Sequence, residues 1–317
     1  MRRLIIAGVL GLALIGTASA QWFDPPALAD RNGSQGFWFY MLEVPNPGAM
    51  TMDGNSDDWA WFDPEYTLTM DEWRDEGDRP LPDRDDLFIT TFLGWKGGDD
   101  NKWYCFMEAT DDVLVHDGTN IERWNGDMLQ AGIDPQDHGR ERSPASGYTM
   151  EWVMAPGDLS PPTNVRFRYS EQEAWFEYGE EPWMDFAVHV DPPEAWAADL
   201  WTEGGTTYYE WAVTVLAFQE DAGPSASEVW QLDAVAGEDG TGLPFAFWYE
   251  DGEGPDSGFG NDDDGNHLGS NDHTTRGPEA SSRQYYSVAK LLRMGEYTSG
   301  ATAVESSTWG QIKNSFQ

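Results

Sequence analysis

Apolar residues in this chain come in short runs, and turn residues cut the runs apart. The runs are LFITTFLGW (87–95), KWYCFMEAT (102–110), DMLQAGID (127–134), YTMEWVMA (148–155), NVRFRYS (164–170), FAVHV (186–190), TYYEWAVTVLAF (207–218) and LPFAFWYED (243–251). Each is of strand length, and several alternate apolar with polar. Gly, Asp, Asn and Pro clusters such as KGGDDN and EDGEGPDSGFGNDDDGN separate many of them. Sustained helical periodicity is scarce. Many short strands with this punctuation predict an all-β chain folded as an antiparallel β-sandwich of jelly-roll or immunoglobulin-like type.

The first twenty residues, MRRLIIAGVLGLALIGTASA, read differently. Arg2 and Arg3 precede an apolar run, and Ala18-Ser19-Ala20 offers a small-residue cleavage site. This is the pattern of a secretory signal peptide, with a run too short to span a bilayer. The expectation is an extracellular or periplasmic protein that starts near Gln21 and does not insert in the membrane. One β-sandwich domain is expected over 21–300, with insertions around 135–205 and 251–280. In the tail 301–317, Trp309, Ile312 and Phe316 fall at helical spacing and predict a short C-terminal helix.

Charge and aromatic content narrow the partners. Without Arg2 and Arg3, 16 Lys and Arg face 57 Asp and Glu, a net charge of −41. Such a field disfavours nucleic acid and anionic surfaces, while neutral ligands and cations are unaffected or favoured. The chain also carries 17 Trp, 12 Tyr and 15 Phe, too many for a disordered acidic polymer. Trp95 and Trp103 lie within strand runs and are expected in the core. The lone Cys105 lies in the apolar run WYCFM and is expected there too.

Catalytic signatures are missing from the sequence: it has no HExxH, GxSxG or P-loop. His116, His138, His189, His267 and His273 show no metal-ligand spacing. Asp and Asn clusters at 53–58 and 261–266 are candidates for structural calcium, through Asp53, Asp57, Asp262 and Asp264. No cofactor is required by any motif.

Five segments, in order, resemble the family 9 carbohydrate-binding modules. MDGNSDDWA (52–60) is similar to the family's opening I-D-G…W segment. NKWYCFMEATDDVLV (101–115) is similar to its aromatic strand and acidic turn. RWNGDMLQAGIDPQD (123–137) resembles W-x-x-D-x-V-E-x-x-I-D, TYYEWAV (207–213) resembles Y-x-x-E-x-x-I, and LPFAFWYED resembles the late I-G-F-x-x-x-V-N-D strand.

The resemblance implies a secreted, non-catalytic β-sandwich that holds glycan chains between aromatic jaws. Trp124 falls on the first clamp tryptophan and Asp127 on the aspartate that opens the same strand. Gln130 stands where the family carries a glutamate, and Arg166, or Arg168 in another register, on a sugar-binding arginine. The family's second clamp tryptophan has no counterpart in SNDHTTRGPEASSRQYY (270–286), where Trp248 or Tyr285 are the substitutes at hand. The implied partner is a neutral polysaccharide or oligosaccharide, alongside a separate polysaccharide-degrading enzyme. Two other readings compete. One is a haem-binding electron-transfer domain of the same sandwich superfamily, ligated from Met107, Met128, Met154 or His189. The other is a β-sandwich glycoside hydrolase or lyase using two close carboxylates.

Overall fold

The computed structural model describes residues 39–70, 73–75, 81–115, 127–133, 150–154, 165–169, 176–177, 183–191, 201–216, 229–237, 243–251, 266–269 and 287–297. The predicted signal peptide, the tail helix and much of both predicted insertions lie outside them. Among the described residues no helix is long and apolar enough to cross a membrane.

Among the described residues, fourteen strands form one continuous sheet that folds over on itself. Its first layer contains β10 (Met184–Asp191), β11 (Trp201–Thr214), β5 (Lys102–Val115) and β4 (Leu87–Lys96), with β2 (Leu68–Thr69) also paired to β4. The second contains β12 (Leu243–Asp251), β6 (Met128–Ile133), β7 (Met150–Met154), β8 (Val165–Tyr169) and β9 (Phe176–Glu177). Between them on the hydrogen-bonded path run β1 (Phe39–Glu43) and β14 (Ser287–Leu292). Strand β13 (Asn266–Gly269) pairs with β12 and with β3 (Arg74–Asp75).

Period-two patterning builds the layers. In β4 buried residues alternate with half-buried ones from Leu87 to Leu93. The odd residues Trp103, Cys105, Met107 and Ala109 of β5 join the interlayer core, as do Tyr209, Trp211 and Val213 of β11. From the second layer come Leu129, Ala131, Ile133, Trp152, Phe245, Phe247 and Tyr249. Aromatic rings from the two layers interlock. The Trp103 ring lies 5.3 Å from that of Trp152 and 5.8 Å from that of Phe247, and Trp211 lies 5.7 Å from Trp152. These are edge and stacked contacts between strands that share no ladder, so the layers are packed face to face. Trp95, Trp103 and Cys105 are fully buried, as expected from the sequence.

The structure departs from the sequence expectation in three places. The sandwich is not wholly antiparallel, because β1 runs parallel to both β4 and β14. The stretch 251–280, expected as a loop insertion, contains β13. A six-residue helix, α1 (Leu232–Gly237), was not anticipated. Asn101 fixes it in place: its Oδ1 accepts from Leu232 N at 2.9 Å, and its Nδ2 donates to Trp230 O at 2.6 Å.

A second core lies on the outer face of the first layer. Residues 44–66 cross that face and bury Val44, Trp59, Phe62 and Tyr66 against Tyr104, Phe106 and Ala212. The rings of Phe62 and Phe92 stack at 4.7 Å.

Candidate functional site

The antiparallel ladder of the second layer aligns three of the residues singled out from sequence. Trp248 on β12 stands opposite Gln130 on β6, Gln130 opposite Val153 on β7, and Val153 opposite Arg166 on β8. Glu177 of β9 ends the row, opposite Arg166. Residues opposite one another in register share a face of the sheet. Gln130 alternates with Leu129 and Ala131, which face the interlayer core, so Gln130 lies on the outer face of the second layer. Arg168 stands one row further on, opposite Glu151. The register therefore puts Arg166, and not Arg168, in line with Gln130.

Gln130 is 2% exposed, and among the described residues its Nε2 has no hydrogen-bond partner. A buried amide nitrogen left in that state costs about 1–3 kcal/mol. The position calls for an acceptor that the described protein groups do not supply.

Asp127 does not join this row. Three residues along a strand reverse the face, and Asp127 lies on the core side, 2% exposed. There its carboxylate acts on the Tyr209 phenol, as does that of Asp111. Burial first, then Asp127, pushes Tyr209 well above the ordinary tyrosine range. Asp111 turns one oxygen to its own strand, accepting from Val113 N at 2.9 Å. With Thr207 and Tyr249, whose ring lies 6.4 Å from that of Tyr209, these side chains form a buried polar cluster at one end of the sandwich. Sequence reading missed this cluster. The signal for it is two tyrosines, Tyr209 and Tyr249, at core positions of apolar strands.

Trp124, Asp262 and Asp264 lie outside the described residues. Asp53 is exposed and caps its own turn, its Oδ1 accepting from Asn55 N at 2.9 Å. Asp57 is exposed at the start of the 3-10 turn Asp57–Trp59. Among the described residues, no three His, Cys, Asp or Glu side chains are grouped to hold a metal ion. Of the candidate haem ligands, Met107 and Met154 lie in the interlayer core, Met128 is buried on β6, and His189 is exposed on β10.

A different carboxylate dominates the outer face of the first layer. Glu210 of β11 is fully buried. Its Oε1 accepts from the Trp59 indole at 2.8 Å, and its Oε2 accepts from Asp53 N and Gly54 N, each at 2.9 Å. Burial outweighs those donors and pushes the carboxyl up to about 7. Two segments of the resemblance, MDGNSDDWA and TYYEWAV, thus meet in one structural joint. Gly54 is required there: its φ is +78°, and a Cβ would approach that of His189 to 2.8 Å.

No protein-family model and no curated protein matches this chain. Among solved structures it is similar to a family 9 carbohydrate-binding module from Caldicellulosiruptor kristjanssonii in complex with cellotriose. That similarity has 14% identity over 84% of this chain and 97% of that one, with a TM-score of 0.46. The glucose complex of a family 9 module from the same organism gives 14% identity, 80% and 95% coverage, and a TM-score of 0.43. A protein from Bacteroides uniformis described as carbohydrate-binding gives 9% identity, 81% and 100% coverage, and a TM-score of 0.47.

Proposed function

We propose that this chain is a secreted, non-catalytic carbohydrate-binding protein whose glycan lies along the outer face of the second layer. The observation that carries the reading is Gln130: a buried amide whose Nε2 donor is unmet among the described residues, in register with Trp248 and Arg166. The chemistry fits a sugar. A hydroxyl or ring oxygen accepts from the Gln130 amide, an aromatic ring stacks on the C–H face, and a guanidinium donates to further hydroxyls. Trp124, three residues before Asp127, supplies the stacking ring in this proposal, with Trp248 as the second aromatic. Asp127 acts from the core side, supporting the strand end that carries Gln130.

A neutral polysaccharide or oligosaccharide suits the acidic chain, because a polyanion would be repelled. The setting is extracellular or periplasmic, after cleavage near Ala20, beside a separate polysaccharide-degrading enzyme. Calcium remains a proposal for the Asp and Asn turns alone.

A glycan array probed with the wild type, Trp124→Ala and Gln130→Leu tests this. Binding by the wild type that both variants lose supports the site. Wild-type binding retained by both variants moves the ligand elsewhere, and a Soret absorption band in the purified protein would favour haem.

A further inference from the structure

We propose that the open part of the first layer's outer face is a second ligand surface, fitted to a polymer of amino sugars whose ammonium groups meet carboxylates beside an aromatic ring. The ladders of β5, β11 and β10 place six residues there in two rows. Glu108, Tyr208 and His189 make one row, and Thr110, Thr206 and Asp191 make the next. Each alternates along its strand with core residues such as Ala109, Tyr209 and Val190, so the six share the outer face. None of the six is buried, and Thr110, His189 and Asp191 are exposed. The row on the other side of Tyr208 differs. There Phe106 packs under residues 44–66, and Glu210 accepts from Asp53, Gly54 and Trp59 of that segment. The covering segment thus stops where the open rows begin.

Tyr208 is the platform of this surface. Its ring stacks on that of His189 at 5.8 Å, with 28° between the planes, and lies 6.1 Å from that of Phe106. Its hydroxyl bonds with the Thr206 side chain, and the Thr206 and Thr110 hydroxyls meet at 3.1 Å. Glu108 and Asp191 both act on the Tyr208 phenol, so a carboxylate lies to either side of the ring's polar end.

Charge complementarity selects the occupant. Asp112 follows Thr110 on β5, and Asp185 precedes His189 on β10, each on the same face. Within the two rows only His189 can carry positive charge. The whole chain sets 57 Asp and Glu against 18 Lys and Arg, so a second copy or a polyanion is repelled. A protonated amine held between an aromatic ring and a carboxylate gains from both. The hydroxyls of Thr110, Thr206 and Tyr208 donate to and accept from sugar hydroxyls, and the C–H face of a sugar ring stacks on Tyr208. A basic peptide would use the carboxylates but would leave those hydroxyls without a matching set of partners. Three strands span about 10 Å, which gives a polymer more than one point of contact. The surface lies on the layer opposite Gln130, so a result at either site leaves the other undecided.

The test is an NMR titration of the full chain in mildly acidic buffer, where sugar amines are protonated. The probes are a glucosamine oligomer, its N-acetylated counterpart and an oligolysine of equal charge. The expected result is that the glucosamine oligomer moves the amide signals of Thr110, Thr206, Tyr208 and His189 and leaves those of β6 in place. It should bind about 10-fold or more tightly than either other probe. Tyr208→Ala should weaken it by about 10-fold. The double variant Glu108→Gln/Asp191→Asn, which keeps every ring, should weaken it as much and flatten its dependence on salt. No shift with the glucosamine oligomer, or shifts confined to other strands, overturns the proposal. So does unchanged affinity in the double variant, which decides the matter should Tyr208→Ala not fold. Equal binding of the acetylated oligomer removes the role of the amine, and equal binding of oligolysine assigns the surface to basic peptides; either outcome overturns the proposal.

Discussion

The indole N–H of Trp59 donates to Oε1 of Glu210 at 2.8 Å, across 151 residues of sequence. That bond ties the segment before the first layer to the middle of β11. Trp59 itself is 1% exposed and packs against Trp61, Phe62, Phe92 and Phe106. Replacing it with Phe keeps most of the apolar contact and removes the donor. A loss of about 1–3 kcal/mol is expected from the unfolding midpoint in urea. An unchanged midpoint would mean that the bond adds nothing to stability.

Gly54 and Gly98 both have positive φ, but their surroundings differ. A Cβ on Gly54 meets His189 Cβ at 2.8 Å, whereas one on Gly98 meets nothing within 4 Å. Gly98→Ala is expected to cost only the backbone strain, about 1–2 kcal/mol. Gly54→Ala adds a clash and should cost clearly more in the same thermal melt. Equal costs would show that the segment around Gly54 shifts aside freely.

The pH dependence of global stability has a defined sign. Glu210 is pushed up on folding, from the ordinary 4.5 to about 7. The folded state therefore holds its proton more tightly than the unfolded chain does. The stabilising contribution is complete below about pH 4.5 and is lost as pH rises through about 7. Subtracting the unfolding curves of Glu210→Gln from those of the wild type isolates it. The difference should fall from pH 5 to pH 8, and a rise over that interval would mean that the three N–H donors hold the ionised form.

Trp103 touches Trp152, Trp211, Phe245 and Phe247 at the centre of the interlayer core. Trp103→Ala should cost about 3–5 kcal/mol by opening a cavity between the layers. Calorimetry gives the number, and a loss below about 1 kcal/mol would contradict face-to-face packing at this residue.

Eight strands were legible because their period-two patterns are local. β1 and β14 were not: each has a parallel partner, and FYMLE and SVAKLL do not alternate cleanly between apolar and polar residues. β13 escaped notice because NHLG sits among turn residues and owes its pairing to β12 and β3. Helix α1 depends on Asn101, far away in sequence. At the candidate site, Gln130, Arg166 and Trp248 were legible as types, but their alignment needed the ladder. Asp127 was grouped with Gln130 on motif spacing, although three residues on a strand put the two on opposite faces. The role of Glu210 was visible only as a lone carboxylate inside TYYEWAV, and its partners lie more than 150 residues away.

The central claim is that Gln130 waits for a sugar oxygen on the outer face of the second layer. Titration calorimetry of the wild type and Gln130→Leu against a neutral oligosaccharide that the wild type binds tests it most directly. The account predicts at least about 10-fold weaker binding in the variant, about 1.4 kcal/mol. It also predicts no loss of thermal stability, because an unmet buried amide is removed. Equal affinity in the two proteins, or a wild type that binds no neutral glycan, would contradict it.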